Sequence, residues 1–239
     1  MLEAIKHDDI EKIKELINNG ADVNIHFKRH GETPLHDVKS YEAAKLLLDN
    51  GADVNAKDDE GNTPLYDINN YEIAKLLIER GADANTKNEF GSTPLHYTNN
   101  YKIAKLLIEH NVDVNAKDKC GQTPLHYINN YKMAKLLVEH GADVNAKTYH
   151  GETPLHYAYV NCKMAKLLID SGAVVNAKNE DGWTYLHYIA KYICDYKVAK
   201  ILVDNGADVN IKDIHGYTPL HYAIEYENIK VIKLLLSYY

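Results

Sequence analysis

Cysteine is scarce: Cys120, Cys162 and Cys194 are the only three, and no CxxC pair occurs among them. That excludes a disulfide framework and a thiolate zinc site, and makes a reducing compartment the natural home. Six prolines in 239 residues exclude a collagen-like or Pro-rich filament. Arginine is confined to Arg29 and Arg80, and the net charge is −7, so the clustered positive charge of a nucleic-acid groove is missing. No apolar run approaches the ~20 residues that span a bilayer, and the opening MLEAIKHDD lacks the apolar core of a signal peptide. The expectation is a cytoplasmic chain with no membrane insertion. Phenylalanine and tryptophan are nearly absent as well, with 2 Phe and 1 Trp against 19 Tyr. What is present is a 45% hydrophobic fraction, enough to bury a core.

That core is renewed periodically. The string Thr-Pro-Leu-His, or a near copy, begins at Thr33, Thr63, Thr93, Thr123, Thr153, Thr184 and Thr218, at spacings of 30, 30, 30, 30, 31 and 34. A second string, Gly-Ala-Asp-Val-Asn or a variant, begins at Gly20, Gly51, Gly81, Asn111, Gly141, Gly172 and Gly206. The two alternate without a break, which predicts one array of about eight units and no separate second domain.

Each unit has a physical reading. Thr followed by Pro starts a helix, because the hydroxyl caps an orphan amide and proline has none to lose. A second helix follows; in the fourth copy Met133, Ala134, Leu136, Leu137 and Val138 supply its apolar surface and Lys132, Lys135 and Glu139 a polar stripe. Gly141 stops it, since glycine accepts left-handed geometry. An extended segment and a Gly-closed turn then lead to the next box.

The TPLH box, the GADVNAKD string and the DxxG-T turn resemble the ankyrin repeat, over essentially the whole chain. The resemblance implies an all-α solenoid of helix-turn-helix units with projecting β-hairpin loops, and a concave surface lined by loop tips and first helices. The implied units are 1–31 as an N-terminal cap, 32–61, 62–91, 92–121, 122–151, 152–182 and 183–216 as internal repeats, and 217–239 as a C-terminal cap. With both ends reading as caps, the chain is expected to be complete. The implied function is non-enzymatic binding of another protein, as a monomer and without cofactor or metal. By analogy with where the family occurs, a host-directed interaction protein of an intracellular bacterium or large virus is one form of this. The alternative is a regulator that caps the active site of an enzyme in its own cell.

The chain departs from the family pattern of ~33 residues. After the first four boxes the sequence runs directly into Lys39-Ser40-Tyr41, Asn69-Asn70-Tyr71, Asn99-Asn100-Tyr101 and Asn129-Asn130-Tyr131. About one helical turn is missing, so the first helices between Thr33 and Gly151 should be short. Asparagine is expected to replace the usual turn glycine by accepting left-handed geometry.

Recurring histidines raise a metal hypothesis. His36, His96, His126, His156, His187 and His221 lie one repeat apart, and at a helix spacing of ~8–10 Å neighbours cannot share an ion. By the resemblance they hydrogen-bond backbone groups between repeats, with Tyr66 standing in at the second box. HExxH, P-loop, GxGxxG and GxSxG patterns do not occur.

Tyrosines form two ladders. Tyr41, Tyr71, Tyr101, Tyr131 and Tyr196 open the second helix, with Cys162 and Ile229 in other copies, and are expected in the core. Tyr97, Tyr127, Tyr157, Tyr188 and Tyr222 follow the box histidine, where Asp37 and Asp67 stand in the first two copies. Between the ladders the loop tips vary, and variation within a constant frame is where a repeat scaffold carries specificity. The candidate partner-binding residues are Phe90, Tyr149, Trp183, Tyr188, Tyr192, Ile214 and Tyr217, concentrated in the second half beside the irregular 192–194 segment. Truncating Trp183 or Tyr149 to Ala is expected to weaken binding while sparing stability.

Overall fold

The computed structural model describes every residue except Arg29, Tyr159, Val160, Cys194 and Tyr239, together with the side chain of Ile193. The described residues form two compact units, Met1–Lys119 and Cys120–Tyr239. Regular structure in both is helical, and no strand occurs among the described residues.

The long helices are the second helices of the units. In the first unit they are α2 (Ile10–Asn18), α3 (Tyr41–Asp49), α4 (Tyr71–Glu79) and α6 (Tyr101–Glu109), with α1 (Leu2–Lys6) and α5 (Pro94–Tyr97) as short partners. In the second they are α8 (Tyr131–Glu139), α9 (Cys162–Asp170), α11 (Tyr196–Asp204) and α13 (Ile229–Leu236), partnered by α7 (Pro124–Tyr127), a 3-10 turn at Pro154–Tyr157, α10 (Tyr185–Tyr188) and α12 (Pro219–Glu225). Successive long helices pack side by side: α2 on α3, α3 on α4 and α4 on α6 in one unit, α8 on α9, α9 on α11 and α11 on α13 in the other. Their apolar stripes form the core; in α6, Ile103, Ala104, Leu106 and Leu107 are buried.

The expected asparagine turns are not left-handed. Asn70, Asn100 and Asn130 have φ of −92°, −92° and −97° and are the N-caps of the long helices. The Asn130 Oδ1 accepts the Lys132 amide at 2.9 Å and the Met133 amide at 3.3 Å. Two orphan amides thus gain a partner, which an N-cap needs and a turn glycine cannot give. Left-handed geometry is taken elsewhere, by Asp8 (φ 53°) and Glu227 (φ 54°), which join α1 to α2 and α12 to α13, and by Asn111 (φ 58°) at the glycine position of its string.

First helices are short, as the missing turn requires. The boxes at Thr33 and Thr63 close only a turn, with the His36 and Tyr66 amides donating to Thr33 and Thr63 carbonyls at 3.0 Å. Those at Thr93 and Thr123 make four helical residues. The box at Thr184 extends α10 into a π turn, Ile189–Ile193, and α12 reaches seven residues.

Neighbouring copies are stitched by side chains. The Asn55 amide donates to Gly81 O at 3.0 Å while its Oδ1 accepts the Asp83 amide at 2.9 Å, and Asn24, Asn145 and Asn176 repeat this pair of bonds. Box histidines act likewise. His156 Nδ1 accepts the Thr153 amide at 3.1 Å, which leaves the proton on Nε2 to donate to the Trp183 carbonyl at 3.3 Å. At the second box the Tyr66 hydroxyl lies 2.5 Å from Thr86 O and 2.6 Å from Ser92 O, in the histidine's place.

Among the described residues the projecting loops are tight turns without a strand ladder. The loop at 58–62 is closed by two backbone bonds, Asp58 N to Asn62 O and Gly61 N to Asp58 O, both at 3.0 Å, and later loops repeat the pair; tips after the first donate an amide to the preceding one, such as Glu89 N to Glu60 O at 2.8 Å. The close approach explains a glycine: a Cβ on Gly121 (φ +76°) would stand 2.9 Å from the Tyr149 amide nitrogen.

Candidate functional site

Tyrosine at the start of a long helix is exposed in every copy but that of Tyr71, which is half-buried. Tyr101 is 46% exposed, and Tyr41, Tyr131, Tyr196 and Ile229 are exposed too, against the expectation of a core ladder. The first helical position lies about 140° round the helix from the centre of the buried stripe, so its side chain points away from the neighbouring helix. The second ladder behaves differently. Tyr97 and Tyr127 are exposed, Tyr157 and Tyr188 half-buried and Tyr222 buried, so these rings sink into the protein along the chain. In the later copies each lies edge-on to the preceding box histidine: Tyr157 to His126 at 5.5 Å, Tyr188 to His156 at 5.8 Å and Tyr222 to His187 at 6.0 Å.

Trp183 gathers the rings of the second unit. Its centroid lies 4.8 Å from Tyr222, 5.1 Å from Tyr188 and 6.0 Å from Tyr192, and it stacks on His187 at 6.0 Å. Tyr217 joins through Tyr222 at 5.8 Å. Polar tips fix the floor of this cluster. Trp183 Nε1 donates to Asp213 Oδ2 at 3.2 Å, and the Tyr222 hydroxyl donates to the same oxygen at 2.6 Å. Burial pushes the Asp213 carboxyl up, but bonds from the Tyr222 hydroxyl, the Tyr217 and His215 amides and the Trp183 indole hold it below the usual carboxylate range. On the neighbouring side Glu152 accepts the Tyr157 hydroxyl at 2.5 Å and the Tyr188 hydroxyl at 2.7 Å.

Trp183 is therefore half-buried framework, which corrects the expectation that it stands free at a tip. A loop position becomes partly core here because the π turn and α12 supply rings that cover the indole. Tyr192 and Tyr217 form the open side of the cluster, at 62% and 50% exposed. Tyr149 and Ile214 are exposed at their own tips, and among the described residues no ring contact joins Tyr149 to the cluster. Phe90 is exposed in the first unit. Of the seven sequence candidates, then, Trp183, Tyr188, Tyr192 and Tyr217 come together. Lys191, Tyr226 and the anchor Asp213 escaped sequence reading; the longer spacing between the boxes at Thr184 and Thr218 was the one signal of the extra turn that carries Lys191. Cys194 lies outside the described residues.

Among the described residues no group of three or more His, Cys, Asp or Glu could hold a metal, and no helix is long and apolar enough to cross a membrane.

A family model for ankyrin repeats, built on three copies, matches at residues 1–88, 66–148, 97–179, 129–213 and 177–239. No curated protein matches the chain. The box with its capping threonine and bridging histidine, the asparagine stitches and the family match over the full length lead to one conclusion: this chain belongs to the ankyrin repeat family.

Proposed function

We propose that this chain is a non-enzymatic scaffold that binds a partner protein through the aromatic face of its second unit. Ankyrin repeats are in general protein-interaction modules. One observation carries the finer reading: Tyr192 and Tyr217 present exposed rings above a floor that Trp183, Tyr222 and Asp213 hold rigid. Large amphipathic rings on a pre-organised base are what interface hot spots use, because little side-chain entropy is lost on binding. Tyr188 supports the floor from the Glu152 side, and Tyr149 and Ile214 extend the contact at the tips. Phe90 is proposed as a contact of the first unit.

The protein acts as a monomer in the cytoplasm, and the partner is a host protein if the chain is delivered, or an enzyme of its own cell if it is not. Photocrosslinkers placed at Tyr192 and Tyr217 and exposed to each lysate separate these two. Adducts with one protein from both positions are expected, in one lysate only.

A further inference from the structure

The Lys191 ammonium lies among four aromatic rings. Its Nζ is 4.9 Å from the ring centroid of Tyr192, 5.0 Å from Trp183, 5.3 Å from Tyr226 and 5.4 Å from Tyr222. The rings come from separate pieces of chain: a loop tip, the π turn, α12 and the residue that caps α12. Ring faces are negative and attract a cation, most strongly when it sheds water. A lysine ammonium, however, is strongly hydrated and sits on a stem with high rotamer entropy. Hydrogen bonds to the Tyr192 and Tyr226 side chains help to hold the ammonium, and four rings converge on it.

Two further features belong to a binding site. The floor is fixed, since Trp183 and Tyr222 both donate to the Asp213 carboxylate, which also places a negative charge beneath the rings. The walls are open, since Tyr192 and Tyr226 are exposed. Lys191 itself stands on the π turn Ile189–Ile193, a geometry that interrupts a helix and recurs at functional sites.

We infer that this four-ring cluster is a site for a methylated lysine side chain of the partner protein, with Lys191 as the internal occupant that the ligand displaces. The inference rests on the protein-binding reading of the same face and adds the chemistry of the group recognised. Methylation matters for a physical reason. An incoming unmodified lysine competes with a tethered one, whose effective concentration is of the order of mM, and gains nothing in hydration. A methylated ammonium carries the same charge, gives up less water and fills the space between rings better, so it wins the exchange.

Trp183 is the single tryptophan, so its fluorescence reports on the site directly. Tetramethylammonium chloride is titrated into the wild-type chain, Lys191→Met and Tyr192→Ala/Tyr226→Ala, with sodium chloride at equal ionic strength as the blank. A saturable change is expected in the first two. Binding to Lys191→Met should be at least ~10-fold tighter, the factor by which an occupant present about nine-tenths of the time would lower the apparent affinity. The double variant should not bind. Blocked trimethyllysine amide should bind at least as well as choline. No saturable change in either of the first two proteins overturns the cation site, yet leaves protein binding at this face standing, since crosslinking tests that separately. Equal affinities of wild type and Lys191→Met overturn displacement, and choline binding an order of magnitude tighter than trimethyllysine amide overturns the assignment to a partner's side chain.

Discussion

Trp183 and Asp213, at successive loop tips, are joined by an indole N–H to carboxylate bond of 3.2 Å, and the Tyr222 hydroxyl shares the same carboxylate oxygen at 2.6 Å. The tip of one copy is thereby tied to the tip and the first helix of the next. Trp183→Ala should cost about 2–4 kcal/mol, towards the lower part of the range for large aromatic truncations because the side chain is only half-buried. Trp183→Phe should cost less, about 1–2 kcal/mol, since the ring is kept and one charge-assisted bond is lost. Urea unfolding of the two variants checks this; a stability loss below about 0.5 kcal/mol for Trp183→Ala would return Trp183 to the exposed tips.

Box histidines give stability a pH dependence. Burial holds His156 and His187 below the ordinary histidine range, so the unfolded chain binds more protons than the folded one as pH falls through ~6.5. Their contribution is complete above that value and is lost progressively below it, down to the folded pKa. Unfolding at pH 7.5 and 5.5 should show lower stability at 5.5, and replacing both histidines by Gln should reduce the slope. A stability that rises on acidification would contradict the neutral tautomer assigned to them.

At the second box Tyr66 replaces the bridging imidazole, with its hydroxyl within 2.6 Å of two carbonyls. Tyr66→Phe leaves both without that donor in a buried setting and should cost about 1–3 kcal/mol. Thermal or urea unfolding measures it, and a neutral result would mean that water takes the place of the hydroxyl.

The recurrence of the two strings, the capping threonine and the short first helices were legible in the sequence, because each follows from recurrence and from hydrogen-bonding chemistry local to the chain; the bridging role of histidine was legible only through the family resemblance, and its reciprocal bond to the threonine amide was not read. Three things were not. The Tyr41, Tyr101 and Tyr131 position looked like core because the family places an apolar residue there, while its exposure depends on helical phase at the first turn. Asn70, Asn100 and Asn130 looked like turn residues because asparagine suits both a left-handed turn and an N-cap, and only φ separates them. Finally, the meeting of Trp183, Lys191, Tyr222 and Tyr226 depends on a π turn and on packing between copies, which residue spacing does not express.

That asparagine distinction is itself measurable. Asn130→Gly removes a cap that serves two amides and should destabilise by a few tenths of a kcal/mol, with Asn130→Ala at about 1 kcal/mol. Asn111→Gly, at φ 58°, relieves a left-handed side chain and should stabilise by up to about 1 kcal/mol. Opposite signs at the two positions are the expected outcome in urea unfolding; a stabilising glycine at 130 would contradict the cap.

Binding through the aromatic face of the second unit is the central claim, and its most direct measurement is the affinity of the crosslinked partner, once purified, for Tyr192→Ala/Tyr217→Ala against Tyr101→Ala/Tyr131→Ala. Both pairs remove two exposed tyrosines, so lost area alone does not distinguish them. The first pair should weaken binding at least ~30-fold, about 2 kcal/mol, and the second less than ~3-fold. Equal affinity of the first pair and the wild type, or a larger loss in the second pair, would contradict the account.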